Sequence, residues 1–369
     1  QARSHHDASA GATHSMTLSD LRIGIIADEF TTKTLGASIS LLPLKRKGWR
    51  KQLDETHVDA VFIESAWSGN DGAWHRGVGY YSKEESADLR GLLAHCADKS
   101  IPTLFWNKED PVHFNRFVRT AGMCNYVFTT DGNMVVPYLE NGSTSLKSAA
   151  AMPFYAQPLI HNPLPSKMPF SNSVAYAGTY YGERYATRSR QLYRMLLEAQ
   201  KFGLEIYDRQ LAYENSPYHF PREFRHNVKG VLPYDKVLDS YKSHSVQLNV
   251  NSVADSPTMF SRRVVEIAAS GGVVLSGPGR GIRETFGSNI PESNENLFWQ
   301  GMLREWTTNP VSHKDEAWRQ MRTVYRSHTI DTAMTIALRT AGIPVSAPQL
   351  DSYQVVVDSP DYEIVASLT

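Results

Sequence analysis

Apolar positions along this chain follow two alternating rhythms. The runs LRIGIIAD, VDAVFIES, IPTLFWNKED and NYVFTTD pack consecutive apolar residues and close on polar or acidic ones, the pattern of strands buried on both faces of a parallel sheet. Between them lie polar stretches with helical spacing. In SKEESADLRGLLAHCADK, Leu89, Leu92 and Leu93 mark one face. This alternation predicts βαβ units over residues 17–160.

MPFYAQPLIHNPLPSKMPF follows, with Pro153, Pro158, Pro163, Pro165 and Pro169. Prolines at this density exclude helix and stiffen the chain, so a crossing between domains is expected there. A second βα series then begins. NSVAYAGTYY, GLEIYDR, SVQLNVN and VVLSG read as strands; RSRQLYRMLLEAQKFG, YDKVLDSYKSH, SRRVVEIAASGG and the start of GIRETFG read as helices. The expected domains are 17–160 and 161–312, both Rossmann-like and doubly wound α/β, facing across a cleft. Helices over 313–342 close the fold and pack back across the boundary. Residues 343–369 form a C-terminal extension, the start of a further unit. Ligands of open α/β sheets bind outside the carboxyl ends of the strands, so polar residues at the strand tips carry the candidate chemistry.

Composition narrows the partners. The 369 residues hold 38 Lys+Arg against 38 Asp+Glu, which disfavours a broad electrostatic grip on nucleic acid or on an anionic membrane. Two cysteines, Cys96 and Cys124, stand outside any metal or redox spacing, so neither a disulfide framework nor a zinc site is expected, and a reducing, cytoplasmic setting fits. Residues 1–16 are small and polar around His5, His6 and His14 and read as a disordered lead or tag remnant. No stretch approaches the roughly 18 apolar residues of a membrane span; work at a membrane would be peripheral, at its inner face.

In NVNSVADSPTMFSRRVVEIAASGGVVLSG a strand ends at Asn249 to Asn251 and a helix is expected to open near Met259, Phe260 and Ser261, capped by Ser256 or Thr258. A helix start is an anion site. Arg262 and Arg263 in its first turn call for an anionic partner, and a diphosphate supplies one. Glu266 shares their face and can accept from a ribose diol. The alternative is a surface ion-pair patch of the same three residues.

SRRVVEIAASGGVVLS followed by GIRETF resembles the donor-binding core of CgeB-like (spore-maturation-type) glycosyltransferases of the GT-B superfamily. The resemblance implies a GT-B fold and places Glu266 on the nucleotide ribose. AYAGTYYGERYATRSRQLY is similar to that family's segment beside the donor phosphates, which brings in Tyr180 and Arg184. NVKGVLPYDKVLDSYKSHSVQLNVN is similar to the part abutting the base, which brings in Lys229. ADEF, FIESAWSGNDGAW, TLFWNKEDPVHFNRF, VFTTD and MPFYAQPLIHNP resemble the companion domain that usually precedes such a core. One departure stands out: retaining relatives carry an acid about eight residues before the ribose glutamate, where this chain has Thr258.

The expected activity is transfer of a sugar from a nucleotide-diphosphate sugar to a carbohydrate acceptor, in surface polysaccharide or glycoconjugate synthesis. No cofactor or metal is called for, because basic side chains would neutralise the leaving diphosphate. Candidate bases are Asp110, Glu109 and Glu64, with His113 as partner or substitute; Trp67, Trp74 and Trp106 could stack on sugar rings. Packing roles compete for these residues, since Glu109–Asp110–Pro111 also reads as a helix cap. His161 and Asn162, before Pro163, suit a structural role at the hinge. The alternative activities are a teichoic-acid-type polyol-phosphate transferase, which would need histidines on the cleft, and a non-catalytic sugar-nucleotide-binding protein.

Overall fold

The computed structural model describes residues 16–346. The extension beyond Ser346 and the lead before Met16 lie outside them. The first lobe runs β1 (Arg22–Ile26), α1 (Glu29–Gly36), β2 (Ser40–Pro43), α2 (Trp49–Glu55), β3 (Ala60–Glu64), the hairpin β4 (Ser68–Gly69) and β5 (Trp74–His75), α3 (Ala87–Asp98), β6 (Thr103–Asn107), α4 (Phe114–Ala121), β7 (Tyr126–Thr129), α5 (Val135–Asn141) and β8 (Ser148–Ala151). Six of these strands form one parallel sheet in the order β2-β1-β3-β6-β7-β8, with Ile25 beside Phe62, Ile63 beside Phe105 and Trp106 beside Phe128. The central strands β3, β6 and β7 are buried at every position, as their unbroken apolar runs require.

After the proline-rich linker the second lobe runs β9 (Ser171–Gly178), α6 (Ala186–Ala199), β10 (Leu204–Asp208), β11 (Val228–Gly230), α7 (Tyr234–Tyr241), β12 (His244–Asn249), α8 (Arg263–Ala269), β13 (Val274–Ser276), α9 (Arg280–Phe286), α10 (Asn296–Thr308), α11 (Pro310–Ser327) and α12 (Ile330–Thr340). Its parallel sheet has the order β11-β10-β9-β12-β13. The order reverses beside β9, and that switch opens a crevice at the carboxyl ends of β9 and β12. Gly271, at φ 77°, and Gly272 turn the chain from α8 into β13. A Cβ at Gly272 would lie 2.2 Å from the Tyr241 carbonyl oxygen, so only glycine fits.

Each sheet carries an apolar layer on both faces. The closing helices are α11, which ends at Ser327, and α12, capped by Thr329, whose side chain accepts from the Thr332 N–H. Ile330, Met334, Ala337 and Leu338 of α12 then join Leu21, Ile23 and Phe62 in the first lobe's core. Further bonds tie the lobes. Ser256 Oγ donates to Asp131 Oδ1 (2.6 Å), and Thr258 Oγ1 accepts from Gly132 N–H and donates to Thr130 O (both 2.8 Å). The Thr258 hydroxyl, eight residues before Glu266, is spent on this contact.

Candidate functional site

The interlobe cleft has a volume of about 310 Å³ and is lined from both sides. The second lobe supplies Gly178 at the tip of β9, Arg209 after β10, Tyr241 from α7, and Ser261, Arg262, Arg263 and Glu266 around α8. The first lobe supplies Lys108 and Glu109 after β6, and the linker supplies Phe154.

On the second-lobe wall, Arg263 lies over the Tyr176 ring, 5.0 Å from its centroid, and against the bare backbone of Gly178. A Cβ on Gly178 would approach an Arg263 guanidinium nitrogen to 3.0 Å, so the glycine lets the cation sit at the strand tip. Burial acts to raise the Tyr176 phenol, but Arg188 and Arg263 outweigh it and hold the phenol below its ordinary value. Arg262 forms an ion pair through Nε with Glu266 Oε1 (2.8 Å) and covers the Phe30 ring at 3.4 Å. Tyr241 donates its hydroxyl to Glu266 Oε2 (3.1 Å). Glu266 is 1% exposed yet lies on the cleft wall.

The first-lobe wall is organised around a buried cation. Lys108 pairs with both Asp28 and Glu64, and Glu64 Oε2 accepts from the Asp28 N–H (2.8 Å). Burial pushes the Glu64 carboxyl up despite Lys108. The Asp28 carboxyl lies below its usual value because the Lys108 pairing outweighs burial. Burial also opposes the Lys108 charge, but the two carboxylates overcome it and raise the ammonium above its usual value. A lysine shared between two acids is held in place and adds no positive charge to the cleft.

Several sequence-derived candidates sit elsewhere. Asp110 is fully buried. It accepts from Asn107 Nδ2 (2.9 Å), Thr129 Oγ1 (2.6 Å) and Tyr138 OH (2.9 Å), and burial pushes its carboxyl up to about 7. It holds the β6–α4 connection and does not line the cleft. Glu64 is 0% exposed beneath the tip of β3. His113 stands at the start of α4 with its ring edge-on to Trp67, 4.9 Å between centroids. Trp74 and Trp106 are core residues bonded to the Leu44 and Met152 carbonyls; Trp67, 40% exposed, is the one of the three that reaches solvent.

The donor-side candidates divide as well. α8 begins at Arg263, later than expected, and Arg262 occupies the cap position without a side-chain cap. Ser256 instead accepts from the Met259 N–H (2.9 Å) within the preceding loop. The positive charge on this wall therefore comes from guanidiniums more than from a helix mouth. Phe260 is core, edge-on to Phe286, and Met259 presses its backbone against Gly281. Tyr180 packs on Phe220, Arg184 is exposed and bonds Tyr218 OH (3.3 Å), and Lys229 is exposed. None of these five lines the cleft. Lys108, Arg209 and Tyr241 line it and were not singled out from the sequence. Arg209 follows the strand GLEIYD directly, and its place at a strand tip was the available signal.

Among the described residues no group of His, Cys, Asp and Glu could hold a metal ion, and no helix is long and apolar enough to cross a membrane.

Residues 188–339 match the family described as glycosyl transferase-like. Solved structures with a similar course of chain include an alpha-glucosyltransferase in complex with UDP-glucose and DNA containing an abasic site (TM-score 0.59, 9% identity, 87% of this chain and 99% of that one). An alpha,alpha-trehalose-phosphate synthase (UDP-forming) from Burkholderia vietnamiensis matches at TM-score 0.51 and 11% identity, covering 89% and 98%. A glycosyltransferase from Rickettsia africae ESF-5 matches at 0.50 and 12%, covering 86% and 89%. No curated protein matches the sequence. At such identities the likeness is one of fold, two parallel α/β lobes across a cleft in the GT-B arrangement, and the stretch similar to the glycosyl transferase-like family lies mostly in the second lobe.

Proposed function

We propose that this chain moves a sugar from a nucleotide-diphosphate sugar to a carbohydrate acceptor bound across the cleft, and that it is of the CgeB-like subtype, as the run SRRVVEIAASGGVVLS suggests. The observation that carries the reading is the meeting of Arg209, Arg263 and Glu266 on one interlobe cleft. Two guanidiniums bind a diphosphate bidentately, and a carboxylate beside them accepts from the ribose hydroxyls. In the reaction the acceptor oxygen bonds to the anomeric carbon while the bond from that carbon to the β-phosphate oxygen breaks. Negative charge gathers on the leaving diphosphate, where preorganised cations stabilise it most. That provision supports a metal-independent transfer without a cofactor. Glu109, the one candidate acid of the first lobe on the cleft wall, would take the acceptor proton.

Neither His113 nor His161 lines the cleft, which weakens the polyol-phosphate reading. Two buried free thiols, Cys96 and Cys124, agree with a cytoplasmic site. Calorimetry with UDP, ADP, GDP, CDP and dTDP tests the donor site. Arg263→Ala should weaken the tightest of them by about 1.5–3 kcal/mol, the range for a hydrogen bond to a charged group. Unchanged affinity moves the donor elsewhere. A phosphodiester in the product would point to the polyol-phosphate alternative, and no product with any donor to the non-catalytic one.

A further inference from the structure

Behind the second-lobe wall stands a buried cation with no acid beside it. Arg188 of α6 is 7% exposed. Its Nη2 donates to Tyr176 OH (2.9 Å) and its Nη1 to the Thr179 carbonyl (3.3 Å), and its guanidinium lies 5.0 Å from the centroid of the Tyr181 ring. None of these partners is a carboxylate, and among the described residues no acid pairs with Arg188. The Nε–H is buried without a partner. Burying an ion without a counter-ion is costly, so a guanidinium kept here suits an anion that the chain itself does not supply.

Tyr176 connects this cation to the cleft. It lies in β9, 0% exposed; its hydroxyl oxygen accepts from Arg188 and its ring carries Arg263. The phenol's own hydrogen meets no acceptor among the described residues. That hydroxyl stands beside Gly178, where a Cβ would lie 3.0 Å from Tyr176 OH and 3.0 Å from Arg263 Nη2. Phenol and guanidinium thus flank the same bare strand tip, which lines the cleft. Arg209 bears on the phenol as well: burial acts to raise it, and Arg188, Arg263 and Arg209 together hold it below its ordinary value. Three arginines converge on one hydroxyl, and no carboxylate pairs with any of them among the described residues.

We propose that Tyr176 is a further binding residue for the donor diphosphate, giving its O–H to a phosphate oxygen over Gly178, and that Arg188 is the positioning residue behind it. The inference rests on the reading of the cleft as the donor site. With Arg188 donating to the phenol oxygen, the remaining O–H is fixed in direction and strengthened as a donor. The anion that accepts from it becomes the counter-charge that Arg188 lacks. An arginine that merely braces α6 against β9 would add to stability and leave diphosphate affinity alone.

Stability and affinity separate these roles. Arg188→Met keeps an extended side chain and removes the charge. Without ligand its urea midpoint should equal or exceed that of wild type, since an apolar group replaces a buried unpaired ion. Its affinity for whichever of UDP, ADP, GDP, CDP or dTDP binds the wild-type chain most tightly should fall on the order of tenfold, one charge-assisted contact's worth. Tyr176→Phe keeps the ring beneath Arg263 and should lose a similar factor. The double variant should lose little more than either alone, as residues acting through one contact do. Unchanged affinity in either single variant overturns the proposal, and so do additive losses or a lowered midpoint in Arg188→Met. Arg263→Ala is the control. If it too binds like wild type, the donor reading of the cleft fails; if it alone weakens binding, only the present inference fails.

Discussion

The two walls of the cleft handle charge in opposite ways. On the first lobe, Lys108 is shared between Asp28 and Glu64, so the charges are settled among themselves before any ligand arrives. On the second, Arg263 rests on an aromatic ring and a glycine, and Arg209 stands beside it at the next strand tip. Both walls are made of residues at the carboxyl ends of parallel strands, and their composition alone would not distinguish them. The difference lies in which strands are neighbours. β1, β3 and β6 lie side by side, bringing two acids and one lysine together, whereas the strand-order switch at β9 sets guanidiniums around an open crevice. The second wall turns guanidiniums toward the crevice, while the first has its charges paired within itself.

Breaking the first wall should have the largest effect. Lys108→Met leaves Glu64, 0% exposed, and Asp28 without their cation, and removing one partner of a buried pair costs about 3–5 kcal/mol. Urea denaturation should show that loss; a stability within about 0.5 kcal/mol of wild type, as for an ordinary surface substitution, would mean the lysine is dispensable to the fold.

Sharpening the second wall gives an intermediate effect. Arg209→Ala should weaken nucleoside diphosphate binding by about 1.5–3 kcal/mol, while Arg184→Ala, whose side chain is exposed and bonded to Tyr218, should change it little. Equal losses would erase the distinction between the cleft and the outer loop.

A pH-dependent effect separates Asp110 from both walls. Its folded value of about 7 lies above the ordinary carboxylate value, so the folded state holds this proton more tightly than the unfolded one. The stability it contributes is complete below about pH 4 and is lost as pH rises through about 7. Asp110→Asn should flatten that part of the denaturation-midpoint profile between pH 4 and 8. An unchanged slope would mean that the carboxyl titrates normally.

Much of the fold was legible in the sequence. The apolar runs around Ile23–Ile26, Val61–Ile63 and Leu104–Trp106 became buried parallel strands, and the proline-rich stretch after Met152 became the linker. Shorter elements escaped: β2 (SLLP) and β8 (SAAA) lie at the sheet's edges and are only partly buried, so they lack the dense apolar signature of the centre. The helix carrying Glu266 began late because the loop before it is held by Asn251, Ser256 and Thr258, which bond to loop backbone and to the other lobe.

By itself, then, the sequence determined what is local and periodic. It set the strand and helix alternation, the crossing between the lobes, and the presence of Glu109, Arg262, Arg263 and Glu266 at or near strand tips. Only the tertiary structure decided which tips face one another. Asp110 and Glu109 are neighbours in the chain, yet one is buried under Tyr138 and the other lines the cleft; Arg184 and Arg209 carry the same charge, yet one points to solvent and the other to the site. Strand order and lobe packing bring together residues far apart in the chain, and no period or motif along the sequence encodes which of them will meet.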